Sequence, residues 1–242
     1  MHEFQARGVL LDIEGTTSSI RFVYDVMFPY VREHLDAFLA AQWNEEAVQN
    51  CLPLLAQDIG EDPNSWLQGM SITQQQAKVA AAVTGMMDGD VKATRLKQLQ
   101  GLIWKDGFHQ GQMVAHLFED VPASIDRWCE AGLDVRIYSS GSIGAQKLFF
   151  GHTVAGDLLD RFGGHYDTTT GPKREAESYQ AIARDMGVPA NEILFVSDVP
   201  EELDAAKQAG MQVALSVRPE NHPVPDNHGY PSVTSFAQLE IA

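Results

Sequence analysis

Residues 9–17 read VLLDIEGTT, and this stretch decides the fold. Three aliphatic residues end abruptly at Asp12, and a second carboxylate, Glu14, follows two positions later, ahead of a glycine and two hydroxyls. A short aliphatic run is typical of a strand that is covered on both faces of a sheet. In open α/β sheets, ligands bind just beyond the carboxyl ends of the strands. The stretch therefore predicts a buried parallel strand whose polar tip faces a ligand.

Further apolar runs follow later in the chain, and helical segments separate them. The runs cover residues 135–138, 193–196 and 211–217. The intervening helices are predicted at 121–131, 176–186 and 201–209, each followed by a glycine that can end a helix. Strands that alternate with helices through short joins indicate an α/β fold with a doubly wound, Rossmann-like parallel sheet. The polar tips of the strands then converge in one crevice.

The middle of the chain has a different pattern, because it carries no convincing strand. Apolar residues at helical spacing predict helices at 24–41, 45–57, 73–86 and 91–104. We therefore expect a catalytic core of residues 1–20 and 117–242, with a helical cap, 21–116, inserted between the first two strands. A helical module at the mouth of an α/β crevice is the usual place for a lid. Residues 218–231, rich in Pro, Asn and His, are expected to form a surface loop.

Composition limits the classes of partner. The 242 residues carry a formal net charge of −16, so the chain lacks the basic surface that binds nucleic acid or anionic membranes. No apolar run approaches the about 18 residues that a membrane span needs. The two cysteines, Cys51 and Cys129, form neither a disulfide framework nor a zinc motif. We expect a cytoplasmic globular protein that binds a small molecule.

Four groups of polar residues lie at strand tips or in loops joined to them. Each has an ordinary explanation when taken alone, such as a helix cap, an acidic turn or a surface lysine. In chain order they are Asp12 with Glu14, the Ser139-Ser140-Gly141 turn, Lys173, and Asp198 with Glu202. Together they are far more specific than any one of them. Such a set could bind a phosphate and react with it, because it combines two acid pairs with hydroxyls and a lysine. The lysine would supply local positive charge in an acidic chain.

In this order the four groups resemble the signatures of the haloacid dehalogenase-like superfamily of phosphatases. Five stretches resemble more narrowly the acireductone-forming enolase-phosphatases of methionine salvage: residues 10–17, 99–104, 137–142, 145–148 and 195–198. Glu14 is the most telling position, since most phosphatases of the superfamily carry Asp there whereas this family carries Glu. The resemblance spans nearly the whole chain and implies a hydrolase of phosphoric monoesters.

The resemblance implies a substrate and two catalytic residues. The substrate is a small phosphorylated diketone, 2,3-diketo-5-methylthiopentyl-1-phosphate, which is enolised and then dephosphorylated to an acireductone. Asp12 is the implied nucleophile, forming an aspartyl-phosphate that water hydrolyses. Glu14 would protonate the leaving oxygen and then activate the water. For the enolisation, a carboxylate would take the proton while a cation or Lys173 steadies the enolate; which carboxylate does so is left open.

The remaining site residues are implied to bind the phosphate and a metal ion. Mg²⁺ would be held by Asp12, the main-chain carbonyl of Glu14 and Asp198, with Glu202 orienting a ligand from behind. The phosphate would be bound by residues of the second and third groups, namely Ser139, Ser140, Gly141 and Lys173. Aromatic residues of the insertion could cover the methylthio end of the substrate, although core packing is the more ordinary role for them.

Other functions remain open at this point. Another Mg²⁺-dependent phosphatase of the superfamily, acting on a sugar phosphate or phosphoglycolate, shares most of these residues, but Glu14 argues against it. A catalytically silent binding protein on the same fold would be expected to have lost one of them. A haloacid dehalogenase needs no metal, so Asp198 argues against that reaction. The sequence has neither the Gly-x-Ser-x-Gly of serine hydrolases nor a P-loop. By resemblance we expect a monomer.

Overall fold

The computed structural model describes residues 1–89, 91, 93–225 and 228–242. These residues form two compact units. One combines residues 1–23 with 114–242, and the other consists of residues 24–113. The sequence analysis places these crossings at 20/21 and 116/117, three residues away in each case, and the role of the second unit as a cap stays a prediction.

The second unit is built of helices. A π-helical segment, Phe22–Met27, leads into it, and four helices follow: α1 (Phe28–Gln42), α2 (Glu46–Asp58), α3 (Ile72–Asp88) and α4 (Thr94–His109). The buried face of α1 carries Val31, Leu35, Phe38 and Leu39, at the spacing of one helical stripe. Of the helix predicted at 91–104, Lys92 lies outside the described residues.

The first unit is built around a parallel sheet. In chain order its strands are β1 (His2–Phe4), β2 (Gly8–Leu11), β3 (Asp134–Tyr138), β4 (Gly164–Tyr166), β5 (Ile193–Ser197), β6 (Gln212–Ser216), β7 (Ser232–Val233) and β8 (Leu239–Ile241). Six of them form one sheet in the order β4-β3-β2-β5-β6-β7, and every neighbouring pair is parallel. The order reverses between β2 and β5, which is where such sheets bind ligands. Strands β1 and β8 pair with each other, also in parallel.

Four helices of the first unit connect these strands: α5 (Asp120–Glu130), α6 (Ile143–Gly151), α7 (Ala176–Met186) and α8 (Pro200–Gln208). The predicted helix 176–186 coincides with α7, which ends at Gly187 in the left-handed region (φ 66°). Strands β2 and β5 are buried along their full length, as their aliphatic runs indicate. Among the described residues, none of the helices has the length and apolar character needed to cross a membrane.

One sequence-based expectation is wrong for part of its range. The described residues of this range, 218–225 and 228–231, have no helix or strand, as expected of a loop, but the loop is not wholly on the surface. Arg218 is buried and ion-paired to Asp120, which holds the start of this loop against α5. Within the same range, Asp226 and Asn227 lie outside the described residues.

Candidate active site

Asp12 lies at the switch point of the sheet, directly after β2. The residue is buried, and its main-chain N–H donates to the carbonyl of Val196 on β5 (3.1 Å). The hydroxyl of Thr17 donates back to the carbonyl oxygens of Asp12 and Ile13 (3.2 Å each). These bonds close the turn that follows β2, so that both carboxylates of this segment are carried on an ordered backbone.

Lys173 contacts two carboxylates from different elements. Its Nζ lies 2.6 Å from Oδ1 of Asp12 and 2.7 Å from Oε2 of Glu202, on α8. All three side chains are buried. Burial by itself disfavours the charged amine, but the charges of Asp12 and then Glu202 outweigh it and raise the pKa of Lys173. Lys173 is therefore a fixed positive charge beside Asp12.

The loop before α7 that carries Lys173 is fixed through its carbonyl oxygens. Tyr138 donates its hydroxyl to the carbonyl of Gly171 (2.8 Å), Ser178 to that of Pro172 (2.7 Å), and Tyr179 to that of Lys173 (2.7 Å). Three consecutive residues are thus bound by three side chains, two of them on α7. Sequence reasoning identified Lys173 but not the hydroxyls that hold it.

Glu14 lies beside the tip of β3. Ser139 donates its hydroxyl to Oε2 of Glu14 (3.2 Å). The hydroxyl oxygen of Ser139 in turn accepts the N–H of Gly141 (3.2 Å). Burial and then the negative charge of Asp12 raise the pKa of Glu14 above its usual range. The protonated form of Glu14 is thereby favoured. Ser140 is exposed and makes none of these contacts.

Asp198 follows β5 and adds another acid to the site. Burial, the charge of Asp12 and that of Glu202 raise the pKa of Asp198 to about 8. Its Oδ2 lies against the backbone of Gly15: a Cβ on that glycine would be 2.3 Å away. Gly15 also has φ 73°, so both its conformation and its surroundings require glycine.

The site residues fit a magnesium ion. Four acids, namely Asp12, Glu14, Asp198 and Glu202, surround the single buried amine of Lys173, so the cluster needs further positive charge. Mg²⁺ prefers oxygen ligands and keeps several waters, and one or two carboxylates are enough to bind it. Within the described part of the chain, no group of three or more His, Cys, Asp or Glu side chains is arranged to bind a metal on its own. The ligand set that the resemblance implies, two carboxylates and a main-chain carbonyl, stays a prediction.

The segment after β6 is the part of the site's surroundings that sequence reasoning missed. Ser216 and Asn221 both donate to the carbonyl of Gly15, at 3.1 and 2.9 Å, and Nε of Arg218 donates to that of Thr16 (3.2 Å). A signal was present in the sequence, because β6 ends at the same edge of the sheet as β2 and is followed by polar residues. The turn after β2 is therefore held from the C-terminal side of the chain.

Two aromatic residues of the insertion are buried, which does not suit contact with a ligand. Trp104 is buried and donates its Nε1–H to the carbonyl of Met27 (2.9 Å), and Phe108 is buried as well. Both therefore take the core role that the sequence made more ordinary. Tyr24, by contrast, is 63% exposed.

Comparisons with known proteins show the family to which the chain belongs. Residues 6–210 match the family of haloacid dehalogenase-like hydrolases. The enolase-phosphatase E1 of Stenotrophomonas maltophilia is 44% identical over 241 residues, which cover 98% of this chain and 100% of that protein. The chain belongs to the enolase-phosphatase E1 family of haloacid dehalogenase-like hydrolases. A member of this family from Aquifex aeolicus is 43% identical, over 97% of this chain and 99% of its own. These matches confirm the family that the motifs indicated.

Larger relatives and solved structures agree. A probable bifunctional methylthioribulose-1-phosphate dehydratase/enolase-phosphatase E1 of Vitis vinifera is 43% identical, but the match covers 96% of this chain and only 47% of that protein. The crystal structure of the UTR4 protein of Saccharomyces cerevisiae is 36% identical, with a TM-score of 0.79 over 97% of this chain and 100% of its own. A dehalogenase structure at 17% identity, with a TM-score of 0.54 over 96% of this chain and 94% of its own, shares the fold. The α/β fold class is thereby confirmed.

Proposed function

We propose that this protein is a Mg²⁺-dependent enolase-phosphatase. It converts 2,3-diketo-5-methylthiopentyl-1-phosphate into the acireductone 1,2-dihydroxy-3-keto-5-methylthiopentene and inorganic phosphate, a step of methionine salvage. The observation that carries the proposal is the 2.6 Å contact of Lys173 with Asp12 at the switch point of the sheet, with Glu14 two residues further on. Relatives matched along their full length and named enolase-phosphatase E1 support it.

Phosphate is released in two displacements. A carboxylate oxygen of Asp12 attacks phosphorus, and the bond between phosphorus and the bridging oxygen of the substrate breaks. Glu14 gives its proton to that oxygen as it leaves. Water then attacks the phosphorus of the aspartyl-phosphate while Glu14, now ionised, takes the water's proton. The bond from phosphorus to Asp12 breaks, and both carboxyl groups return to their starting states.

The other site residues neutralise the charge of the phosphate and orient it. Phosphoryl transfer needs mainly positioning and charge stabilisation. Lys173 supplies a fixed charge beside Asp12, and Glu202 keeps its amine in place. Ser139 can turn its hydroxyl from Glu14 to a phosphate oxygen, helped by the main chain at Ser140 and Gly141. Asp12, the carbonyl of Glu14 and Asp198 would hold Mg²⁺, which would supply charge neutralisation at the phosphate.

Enolisation precedes the phosphoryl step and uses the same site. A carboxylate takes the proton from carbon, and the amine of Lys173 donates to the oxygen on which the negative charge develops. Glu14 is the carboxylate we assign, because it already lies beside both Asp12 and Ser139. Its ionised form takes the proton from carbon and is then the acid of the phosphoryl step, the enolate oxygen takes a proton from solvent, and Glu14 loses its proton to solvent after phosphate is released. If Glu14→Gln enolised at the full rate while releasing no phosphate, the base would have to be another carboxylate.

The decisive assay follows the two products separately. Enol absorbance and phosphate release are recorded with the diketo phosphate, with and without Mg²⁺. We expect Asp12→Asn to abolish phosphate release, and unchanged release would exclude Asp12 as the nucleophile. A panel of sugar phosphates and phosphoglycolate is the control. Turnover of these, with none of the diketo phosphate, would favour the other phosphatases of the superfamily.

We propose two further properties. The protein acts in the cytoplasm and as a monomer. Light scattering coupled to gel filtration tests the second property, since a dimer would elute at twice the mass of 26.6 kDa.

A further inference from the structure

A tight turn follows β6 and presents Asn221 to the site. The N–H of Asn221 donates to the carbonyl of Arg218 (3.2 Å), which closes a four-residue turn. Pro219 occupies its second position, and Glu220, at its third, has φ 72°. This is the pattern of a type II turn, in which the third residue is forced into the left-handed region. Arg218 anchors one end of the turn and Asn221 forms the other.

The amide of Asn221 has a fixed orientation. Its Nδ2 donates to the carbonyl oxygens of both Gly15 (2.9 Å) and Ser216 (3.1 Å). A flipped amide would place its oxygen against two carbonyl oxygens, so these bonds decide which atom is nitrogen. The opposite atom, Oδ1, is buried and has no hydrogen-bond partner in the described part of the chain. A buried amide oxygen without a donor is an exception in folded proteins and requires an explanation.

The unpartnered oxygen lies on the same side of Gly15 as Asp198. A Cβ built on Gly15 would be 2.9 Å from Oδ1 of Asn221 and 2.3 Å from Oδ2 of Asp198. When Asp198 is ionised, as it must be to bind a cation, two hydrogen-bond acceptors therefore face one small region of space beside the turn that follows Asp12. Acceptors that share a buried region are stable together only if a donor or a cation lies between them.

We propose that Asn221 is a positioning residue of the cation site. Its Oδ1 accepts a hydrogen bond from a water molecule in the hydration shell of the Mg²⁺ that Asp198 binds, and its Nδ2 holds the carbonyl of Gly15 beside Glu14. This inference rests on the proposed function, since it requires a cation at Asp12 and Asp198. It explains why the one amide oxygen near the acids is left free by the protein.

The chemistry of Mg²⁺ makes such a residue useful. The ion keeps several of its waters, and each of them carries two protons that need acceptors. Groups that accept from these waters orient the hydration shell, and their loss typically lowers metal affinity by about 10–100-fold. Asn221 can do this without adding negative charge to a site that already holds four acids.

The test compares Asn221 with Ser216, because both donate to the carbonyl of Gly15 and only Asn221 adds an acceptor. Thermal unfolding of the full-length protein is titrated with Mg²⁺ alone, without substrate and at constant ionic strength. We expect Asn221→Ala to raise the Mg²⁺ dissociation constant at least about 10-fold. Ser216→Ala should change it by less than about threefold. Asn221→Asp keeps an acceptor oxygen and should retain the affinity of the wild type or exceed it.

Each outcome has a defined meaning. Equal weakening of Mg²⁺ binding in Asn221→Ala and Ser216→Ala would overturn the inference, because the loss of a hydrogen bond to the carbonyl of Gly15 would then account for both results. Unchanged affinity in Asn221→Ala would overturn it as well, and so would an Asn221→Asp variant as weak as Asn221→Ala. If the wild type itself shows no response to Mg²⁺, the proposed cofactor fails together with the inference. Should Asn221→Ala not fold, as judged by circular dichroism, Asn221→Ser replaces it.

Discussion

Different side chains bind the amine of Lys173 and the backbone of the loop that carries it. Asp12 and Glu202 bind the amine, whereas Tyr138, Ser178 and Tyr179 bind the carbonyl oxygens of the loop. A charged side chain so tightly paired needs little from its backbone to remain ionised. It needs the backbone in order to lie at the correct distance from a phosphate. The hydroxyls should therefore matter more for rate than for the charge of Lys173.

We predict that Tyr179→Phe lowers kcat/KM by about tenfold or more. A displacement of about 1 Å at a catalytic group can cost up to about 100-fold. The variant also leaves the buried carbonyl of Lys173 without a donor, which should lower the free energy of unfolding by about 1–3 kcal/mol. Steady-state kinetics and urea unfolding measure the two effects. Tyr230→Phe, which removes a phenol hydroxyl that donates to Asp204 at an exposed site, is the control and should leave kcat/KM unchanged.

His165 is a residue whose neutral form the fold requires. Gln146 donates through Nε2 to the carbonyls of Gly141 and Tyr166, so its Oε1 accepts and Nδ1 of His165 must carry a proton (3.2 Å). The ring also packs against Phe162. Burial and then the positive charge of Lys147 lower the pKa of His165 to about 4.

A pH dependence of stability follows from this shift. Between about pH 6.5 and pH 4 the unfolded chain binds a proton at His165 and the folded chain does not, so stability falls as the pH falls through this window. Allowing for the partial exposure of the ring, the wild type should lose about 1–2 kcal/mol more than His165→Gln does. Urea unfolding at pH 7 and pH 4.5 measures the difference. The exposed His222→Gln is the control, and an equal effect there would assign the dependence to other groups.

Among the elements, α5 and the segment after β6 depend on one buried ion pair. Arg218 donates from Nη1 and Nη2 to the two carboxylate oxygens of Asp120, at 2.8 and 2.9 Å. Asp120 also accepts the N–H of Phe236. The side chain of Arg218 is only 3% exposed, so its removal leaves the carboxylate of Asp120 without its ion-pair partner and the carbonyl oxygens of Thr16 and Thr234 without this donor.

We expect Arg218→Met to lower the free energy of unfolding by about 3 kcal/mol, as does breaking other buried pairs. Arg161→Met is the matched control, since Arg161 and Asp126 are ion-paired 2.6 Å apart with side chains 47% and 45% exposed. Exposed pairs contribute about 0–1 kcal/mol. Chemical denaturation at neutral pH measures both variants. Similar losses in the two would show that burial does not decide the strength of these pairs.

The same elements show what a sequence reveals and where it stops. Strands β2, β3, β5 and β6 are aliphatic runs buried in the centre of the sheet, and each of them was predicted. Strands β1, β4, β7 and β8 are two or three residues long, which is too short for any periodicity to register. Their pairing comes from the tertiary fold rather than from local propensity.

For the whole molecule, the reading of the site depends on topology. The order of strands predicts that polar residues after β2, β3 and β5 converge, and the structure brings Asp12, Lys173 and Glu202 into contact. The sequence places the polar residues after β6 at the same edge of the sheet as β2, but it does not reveal that Arg218 and Asn221 are the ones that reach the turn after β2. Long-range polar contacts carry no periodicity and depend on the finished fold.

The net charge of −16 leads to the last prediction. Surface acids repel weakly through water, whereas buried acids repel strongly, so the charge that matters is the cluster of four around Lys173. Without a divalent cation, Asp198→Asn removes a buried acid whose charged form the site disfavours, as its raised pKa shows, and should raise the free energy of unfolding by about 1–3 kcal/mol. For a chain of this size that is about 2–4 °C in Tm per kcal/mol.

With Mg²⁺ the order should reverse. At 100 times its dissociation constant a ligand stabilises the folded state by about 2.7 kcal/mol, which the wild type should gain and Asp198→Asn should not. The exposed Glu201→Gln, on the helix that follows Asp198, also replaces an acid by its amide and should behave as the wild type with and without Mg²⁺. Thermal unfolding in EDTA and in Mg²⁺ distinguishes the two variants. If Asp198→Asn and Glu201→Gln were equally stabilised in EDTA, the overall charge of the protein would explain the gain in stability rather than the buried cluster. The acids at the switch point would then not be a cation site that lowers the stability of the metal-free protein.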